Sequence, residues 1–221
     1  MLLYKFRSIE HLEFLSDVLV SQRLHCARYD ELNDPFEGVV SSVFTFGSRK
    51  RAYSFTTVED VLDPEDGVEP RVCSLSNGFQ DIRLWSHYGG GHRGVAIEID
   101  FSGFEKDLVA VTYGPTLRQF DEDAGDHPSL QAMLSYKTNH WEFEREYRIL
   151  SSGPYYAVDG RIRRVIVGTR CTKADRMLLG RLVSGGTTLA DADLNHKTVE
   201  VEVKASRTVA SSAPTVQKSN G

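Results

Sequence analysis

The residues best suited to chemistry lie in Trp141-Glu142-Phe143-Glu144-Arg145-Glu146-Tyr147-Arg148, which runs into the apolar Ile149-Leu150. Its three glutamates fall at every second position. Two is the period of a strand, so the spacing predicts that all three project from one face, with Arg145, Tyr147 and Ile149 on the other. Carboxylates in a row repel one another and make a poor core. Such a strand either lies at a sheet edge and keeps its charges in water or lines a cleft. In a cleft, paired carboxylates bind a sugar hydroxyl, activate a nucleophile or stabilise a cation.

Four other groups carry polar chemistry. Tyr4-Lys5-Phe6-Arg7 sets a cation just beyond an opening strand. Asn33-Asp34-Pro35-Phe36-Glu37 is a rigid turn, because Asn and Asp form local side-chain turns and Pro fixes the next dihedral. Cys73-Ser74-Leu75-Ser76 puts two hydroxyls on one strand face. Trp85-Ser86-His87-Tyr88 and His92 surround a triple glycine. Each group has a plain structural reading: Arg7 as a surface cation, the serines as a strand end, Trp85 and Tyr88 as core aromatics. His87 and His92 have no third ligand at a telling spacing, and Cys26, Cys73 and Cys171 form no CxxC pair, so no metal site is expected. There is no phosphate loop, dinucleotide fingerprint or nucleophile elbow.

The elements that must position these groups are mixed. Strands are expected over Leu2 to Phe6, Leu24 to Ala27, Arg71 to Ser76, Gly94 to Asp100, Leu108 to Tyr113, Phe143 to Leu150, Arg161 to Val167 and Val199 to Lys204. Helices are expected over about residues 9–20 capped by Ser8, over Asp81 to Tyr88 stopped by Gly89-Gly90-Gly91, over about 128–139, and from a Thr172 cap to about Val183. Residues 47–70 read as helical or mobile, and 121–126 as an acidic loop. The lack of a regular βαβ rhythm favours an α+β fold. The boundaries are one domain over 1–204 and a disordered tail over 205–221, rich in Ser, Thr, Ala and Pro.

The chain has 221 residues, 40% hydrophobic and 26% charged, with a formal net charge of -5. That charge is uneven. Residues 1–160 hold 15 basic and 26 acidic residues, and 161–221 hold 11 and 5. The basic cluster Arg161, Arg163, Arg164 and Arg170 suits either phosphates or the solvated face of a strand. The acidic balance of the first 160 residues opposes broad attraction to nucleic acid. No apolar run reaches 18 residues and the N-terminus does not read as a signal peptide, so a cytoplasmic protein without a membrane span is expected.

The segments LYKFRS (3–8), LNDPFEG (32–38), CSLS (73–76), WSHYGGGHRGVAIEID (85–100) and WEFEREYRIL (141–150) resemble a bacterial domain-of-unknown-function family, number two-nine-seven-one in that series, over about residues 2–170. More distantly, Arg7, Ser74-Leu75-Ser76 and Glu144-Arg145-Glu146 resemble, in that order, the motifs of arginine–serine–glutamate ADP-ribosyltransferases. Leu75 departs from the Thr usual there. The resemblance implies a largely antiparallel split sheet with flanking helices. It also implies NAD as co-substrate and cleavage of the nicotinamide–ribose bond, in an enzyme of the toxin or phage-defence kind. On that footing Arg7 binds the pyrophosphate, and Ser74 and Ser76 hold the strand and the nicotinamide ribose. Glu146 stabilises the ribosyl cation, Glu144 orients or deprotonates the acceptor, and Tyr88 or Trp85 stacks on nicotinamide. Asn33, Asp34 and His92 fall to the acceptor side, whether the acceptor is protein, nucleic acid or water. Two other readings stand: a nucleic-acid-associated protein using the arginine cluster, and a non-catalytic scaffold whose glutamates pair with Arg7, Arg148 or Lys137.

Overall fold

Alternation in Leu2–Arg7 and an apolar run in Val95–Asp100 build the centre of the molecule. These strands pair antiparallel over six residues, from Leu2 opposite Asp100 to Arg7 opposite Val95. A computed structural model describes residues 1–46, 50–62, 69–183 and 186–208. In chain order the first half holds β1 (Leu2–Arg7), α1 (Leu12–Leu19), β2 (Arg23–His25), β3 (Ala27–Arg28), β4 (Val40–Phe46), β5 (Lys50–Thr56), α2 (Val58–Val61), β6 (Arg71–Ser76), α3 (Ile82–His87) and β7 (Val95–Asp100). The second half holds β8 (Val109–Ala110), β9 (Thr112–Gly114), β10 (Gln119–Asp121), α4 (Leu130–Met133), β11 (Tyr136–Thr138), β12 (Glu146–Ser151), β13 (Tyr155–Ala157), β14 (Ile162–Val167), α5 (Lys173–Leu182), β15 (Thr188–Asn195) and β16 (Glu200–Thr208).

The fold is mixed α+β, mostly sheet with a few helices. Nine strands form the main sheet in the order β16-β15-β14-β7-β1-β6-β12-β8, with β3 added beside β6. Its pairs are antiparallel except β14 and β15, which run parallel because α5 carries the chain across between them. A three-stranded sheet, β10-β4-β5, stands apart. One face of the main sheet buries Leu3, Val95, Ile97 and Val165 against Leu15 and Val18 of α1 and Leu179 of α5. The other buries Phe6, Ala96 and Ile166 with Leu84 and Trp85 of α3. A third cluster joins Val72 to Val40, Phe120, Met133 and Leu134 beneath the small sheet.

One junction is incomplete. β1 meets β6 at a single register pair, Tyr4 opposite Ser76, whereas β6 meets β12 over six, from Glu146 opposite Ser76 to Ser151 opposite Arg71. Beyond Tyr4 the two strands diverge and leave a split in the sheet. Part of the lost ladder is replaced by a side chain: Lys5 Nζ donates to the Ser74 carbonyl at 2.8 Å.

Several expectations are corrected. The glutamate segment is not one strand: 139–144 form a 3-10 turn, Arg145 sits at φ 43, and β12 begins only at Glu146. Glu142 and Glu144 therefore lie outside the strand, and the three-on-one-face register does not hold. Ser8 does not cap α1, which starts at Leu12 after His11; the Ser8 hydroxyl instead accepts from the Glu10 amide at 3.2 Å. The helix expected over 128–139 is one turn, α4, followed by β11, which pairs with β9. The strand expected over Leu108 to Tyr113 breaks at Val111 into β8 and β9. Within 47–70, β5 and α2 take residues 50–61. β16 runs to Thr208, and the rest of the expected tail, 209–221, lies outside the described residues. No helix among the described residues is long and apolar enough to cross a membrane.

Candidate functional site

The split between β1 and β6 opens into a cleft of about 390 Å³, within the range of small-molecule sites. Its walls bring together residues far apart in the chain. Lys5 and Arg7 come from β1, Ser74 and Ser76 from β6, and Glu146 and Arg148 from β12. Lys137, Glu144 and Tyr88 add to the carboxylate side, and Asn33, Glu31 and His25 complete the rim.

Local sequence explains these positions. Asp81 caps α3 by accepting from the Arg83 amide at 2.9 Å, and α3 delivers Tyr88 at its end. The glycines after it make a tight return to β7. A Cβ on Gly94 would lie 2.0 Å from the Arg7 carbonyl oxygen, so only glycine lets the chain pass this close to the end of β1. On the other wall, the left-handed Arg145 redirects the chain between Glu144 and Glu146. Both carboxylates still point to one place, because Lys137 Nζ bridges them at 2.7 Å from Glu144 and 2.9 Å from Glu146. Ser76 Oγ pins the turn by donating to the Glu144 carbonyl at 2.7 Å.

The two carboxylates have unlike surroundings. Glu146 is 3% exposed. Its oxygens accept from Arg148 Nε at 2.8 Å and Nη2 at 3.2 Å. Burial alone would raise its pKa, but Arg148 and Lys137 outweigh burial and hold it near 2. Glu144 accepts from the Tyr88 hydroxyl and from Lys137. There burial dominates, Lys137 only partly offsets it, the Glu146 charge adds to it, and the pKa is raised. Burial next to Glu144 likewise pushes the Tyr88 phenol up. Arg148 is 0% exposed. It also donates to Glu37 Oε2 at 2.8 Å and the Leu134 carbonyl at 2.7 Å, tying the 32–38 turn to the sheet.

The opposite wall is cationic. Lys5 and Arg7 form no ion pair in the described residues, and Arg7 Nε is buried without a hydrogen-bond partner. Arg7 lies over the Phe14 ring at 5.3 Å. Burial lowers the pKa of both, and Arg7 lowers that of Lys5 further. Burial and the same two charges lower that of His25.

Of the residues singled out in the sequence, Arg7, Ser74, Ser76, Tyr88, Glu144, Glu146 and Asn33 line this cleft. Three do not. Trp85 is 0% exposed, donates Nε1–H to the Phe79 carbonyl and packs edge-on to Phe6, so its ring belongs to the core and does not stack on a ligand. His92 stacks behind Trp85. Asp34 is buried and closes its own turn by accepting from the Phe36 amide. The glutamates pair with Arg148 and Lys137 but not with Arg7. Lys5 and His25 had no assigned role, although the two-residue spacing of Lys5 and Arg7 on one strand already puts both cations on one face.

Three of the four clustered arginines are engaged elsewhere. Arg163 pairs with Asp100 at 3.0 Å, Arg164 with Glu98, and Arg161 packs on Phe104 at 4.1 Å. No cluster of three or more His, Cys, Asp or Glu suited to a metal ion occurs among the described residues. Comparison with models of known protein families, with curated proteins and with solved structures gives no match.

Proposed function

We propose that this cleft binds NAD and that the protein breaks the nicotinamide–ribose bond, passing ADP-ribose to an acceptor or to water, in the manner of an ADP-ribosyltransferase. The observation that carries the reading is convergence. Arg7, Ser74, Ser76, Glu144 and Glu146, from three separate segments, face one cavity in the split of a largely antiparallel sheet. Bond breaking of this kind builds positive charge on the ribose, like the oxocarbenium of glycoside hydrolysis. Glu146, kept ionised by Arg148 and Lys137, suits the stabilising of that charge. Glu144, with its raised pKa, suits taking a proton from the incoming nucleophile. Carboxylates whose surroundings push their pKa values apart are the usual mark of such divided labour. Arg7, and Lys5 with the donors it does not spend on the Ser74 carbonyl, would meet the diphosphate. Tyr88 takes the aromatic position at the nicotinamide end.

The test is nicotinamide release by the purified protein. It should occur, and Glu146→Gln should abolish it while circular dichroism shows an intact fold. No release, with no NAD binding at millimolar concentration, would sink the reading. A scaffold reading would then take its place, because Glu146, Arg148 and Glu37 already satisfy one another without a ligand.

A further inference from the structure

Cys26 and Cys73 have no part in the proposed chemistry, yet their placement is specific. β3 and β6 pair antiparallel with Ala27 opposite Val72. The ladder ends there, and one further step in its register would set Cys26 opposite Cys73. Both thiols are buried in the same core cluster as Leu3 of β1, both are free, and each is near enough to shift the titration of the other; the Cys26 thiol itself donates to the Leu24 carbonyl at 3.9 Å. Opposed residues in an antiparallel pair have Cα atoms about 4.5–5.5 Å apart, inside the roughly 4.4–6.8 Å that a disulfide spans. A pair in that register is therefore within bridging range.

From this geometry we infer that Cys26 and Cys73 are an oxidisable dithiol that closes to a cross-strand disulfide beneath the cleft. The inference does not depend on NAD chemistry. Cys73 is the attacking sulfur. The neighbouring Cys26 thiol, followed by the Lys5 and Arg7 charges, overcomes burial and draws its pKa down to about 6, whereas the Cys26 thiol is pushed up. With a hydroperoxide as oxidant, the Cys73 thiolate attacks one oxygen and the O–O bond breaks. The departing oxygen takes up a proton, and Cys73 becomes a sulfenic acid. Cys26 then attacks that sulfur. The S–O bond breaks, the Cys26 proton leaves with the hydroxide as water, and the S–S bond forms. For hydrogen peroxide, two thiols and one peroxide give one disulfide and two waters. The product ties the residue before β3 to β6, near enough to Lys5 and Arg7 to feel their charges. Ala27, Val72 and Ser74, the chain neighbours of the two thiols, line the cleft, although neither thiol does.

The experiment is a thiol count and peptide map of the folded, full-length protein before and after hydrogen peroxide, with thiols measured after denaturation. Three free thiols should fall to one, Cys171, with a single peptide pair joined through Cys26 and Cys73 and released by dithiothreitol. Cys171→Ser should leave the cross-link unchanged. A Cys73 sulfinic acid without a cross-link, a bridge to Cys171, or both core thiols still free when Cys171 is oxidised would each overturn the inference. The main readout is on the unmutated chain, so it does not rest on a variant that folds poorly.

Discussion

Arg148 is the most demanding residue in the structure, and Arg148→Met isolates what it does. The guanidinium is fully buried and faces the carboxylates of Glu146 and Glu37 as well as the Leu134 carbonyl. Met fills much of the volume but leaves Glu37 without a cation and Glu146 with only Lys137. Removing one partner of a buried charge network costs about 3–5 kcal/mol. For a chain this size that corresponds to a fall in Tm on the order of 10 °C, at about 2–4 °C per kcal/mol. The cost depends on pH with a definite sign. Glu146 is held below its unfolded value, so its pairing stabilises fully above the ordinary carboxylate range and is lost as pH falls toward about 2. The gap between wild type and variant should therefore be widest near pH 7 and narrow between about pH 5 and pH 2. Urea unfolding of both proteins across that range measures it. Adding Glu37→Gln to the variant should recover part of the loss, since it removes the stranded charge. Equal stability at pH 7, or a gap independent of pH, would refute the claim that the network is charged and buried.

Three further outcomes follow from the same geometry. Glu144→Gln should gain stability relative to wild type as pH rises from about 4 to 7. The Glu144 pKa is raised, so the stability of its neutral form is present below the ordinary value and lost above it; thermal melts across that range should show the trend, and the opposite trend would contradict it. Gly94→Ala should cost about 1–3 kcal/mol, because the new Cβ would meet the Arg7 backbone carbonyl and not a side chain able to turn away; an unchanged urea midpoint would argue against so close an approach. Lys5→Met should bind NAD less tightly in calorimetry, because it removes one of the two cations on the β1 wall of the cleft; unchanged affinity would remove Lys5 from the ligand's contacts.

The parts of the fold that were legible in the sequence are those whose apolar pattern and caps agree. β6, β7 and β14 follow their strand patterns, α3 falls within the expected Asp81 to Tyr88, and Thr172 caps α5 as read. The glutamate segment misled because its period of two was read from charges, and charges do not report which face is buried. Aromatics decide the conformation there. Phe143 packs under Arg83 at 4.3 Å, and Trp141 lies by Lys137 at 5.3 Å, which favours a 3-10 turn over an extended strand. Residues 136–138 look helical in isolation, yet pairing with β9 makes them a strand, and no local signal carries that tertiary choice. Within the site, the residue types were readable and the wall each one joins was not. Trp85 and Tyr88 sit three apart on one short helix, but one rotates into the core and the other toward Glu144.

The cleft is an unpaired stretch of a sheet ladder, and this governs its electrostatics. Where β1 and β6 part, backbone groups that would have bonded to each other must find other partners, and Lys5 supplies one for Ser74. A lysine committed this way is held in the gap beside Arg7, and two cations on one strand face repel. The carboxylate wall opposite does not relieve them, because Glu144 and Glu146 are already taken up by Lys137 and Arg148. The cleft thus keeps a surplus of positive charge at β1 and a shielded carboxylate pair across from it, of which Glu146 is held ionised. A ligand that is anionic at one end and becomes cationic at the other during reaction would relieve both walls at once. One that is only anionic would relieve the first alone. The contrast gives a direct discriminator: inorganic pyrophosphate should depend on Lys5 and Arg7 but be indifferent to Glu146→Gln, while turnover of NAD should require both walls.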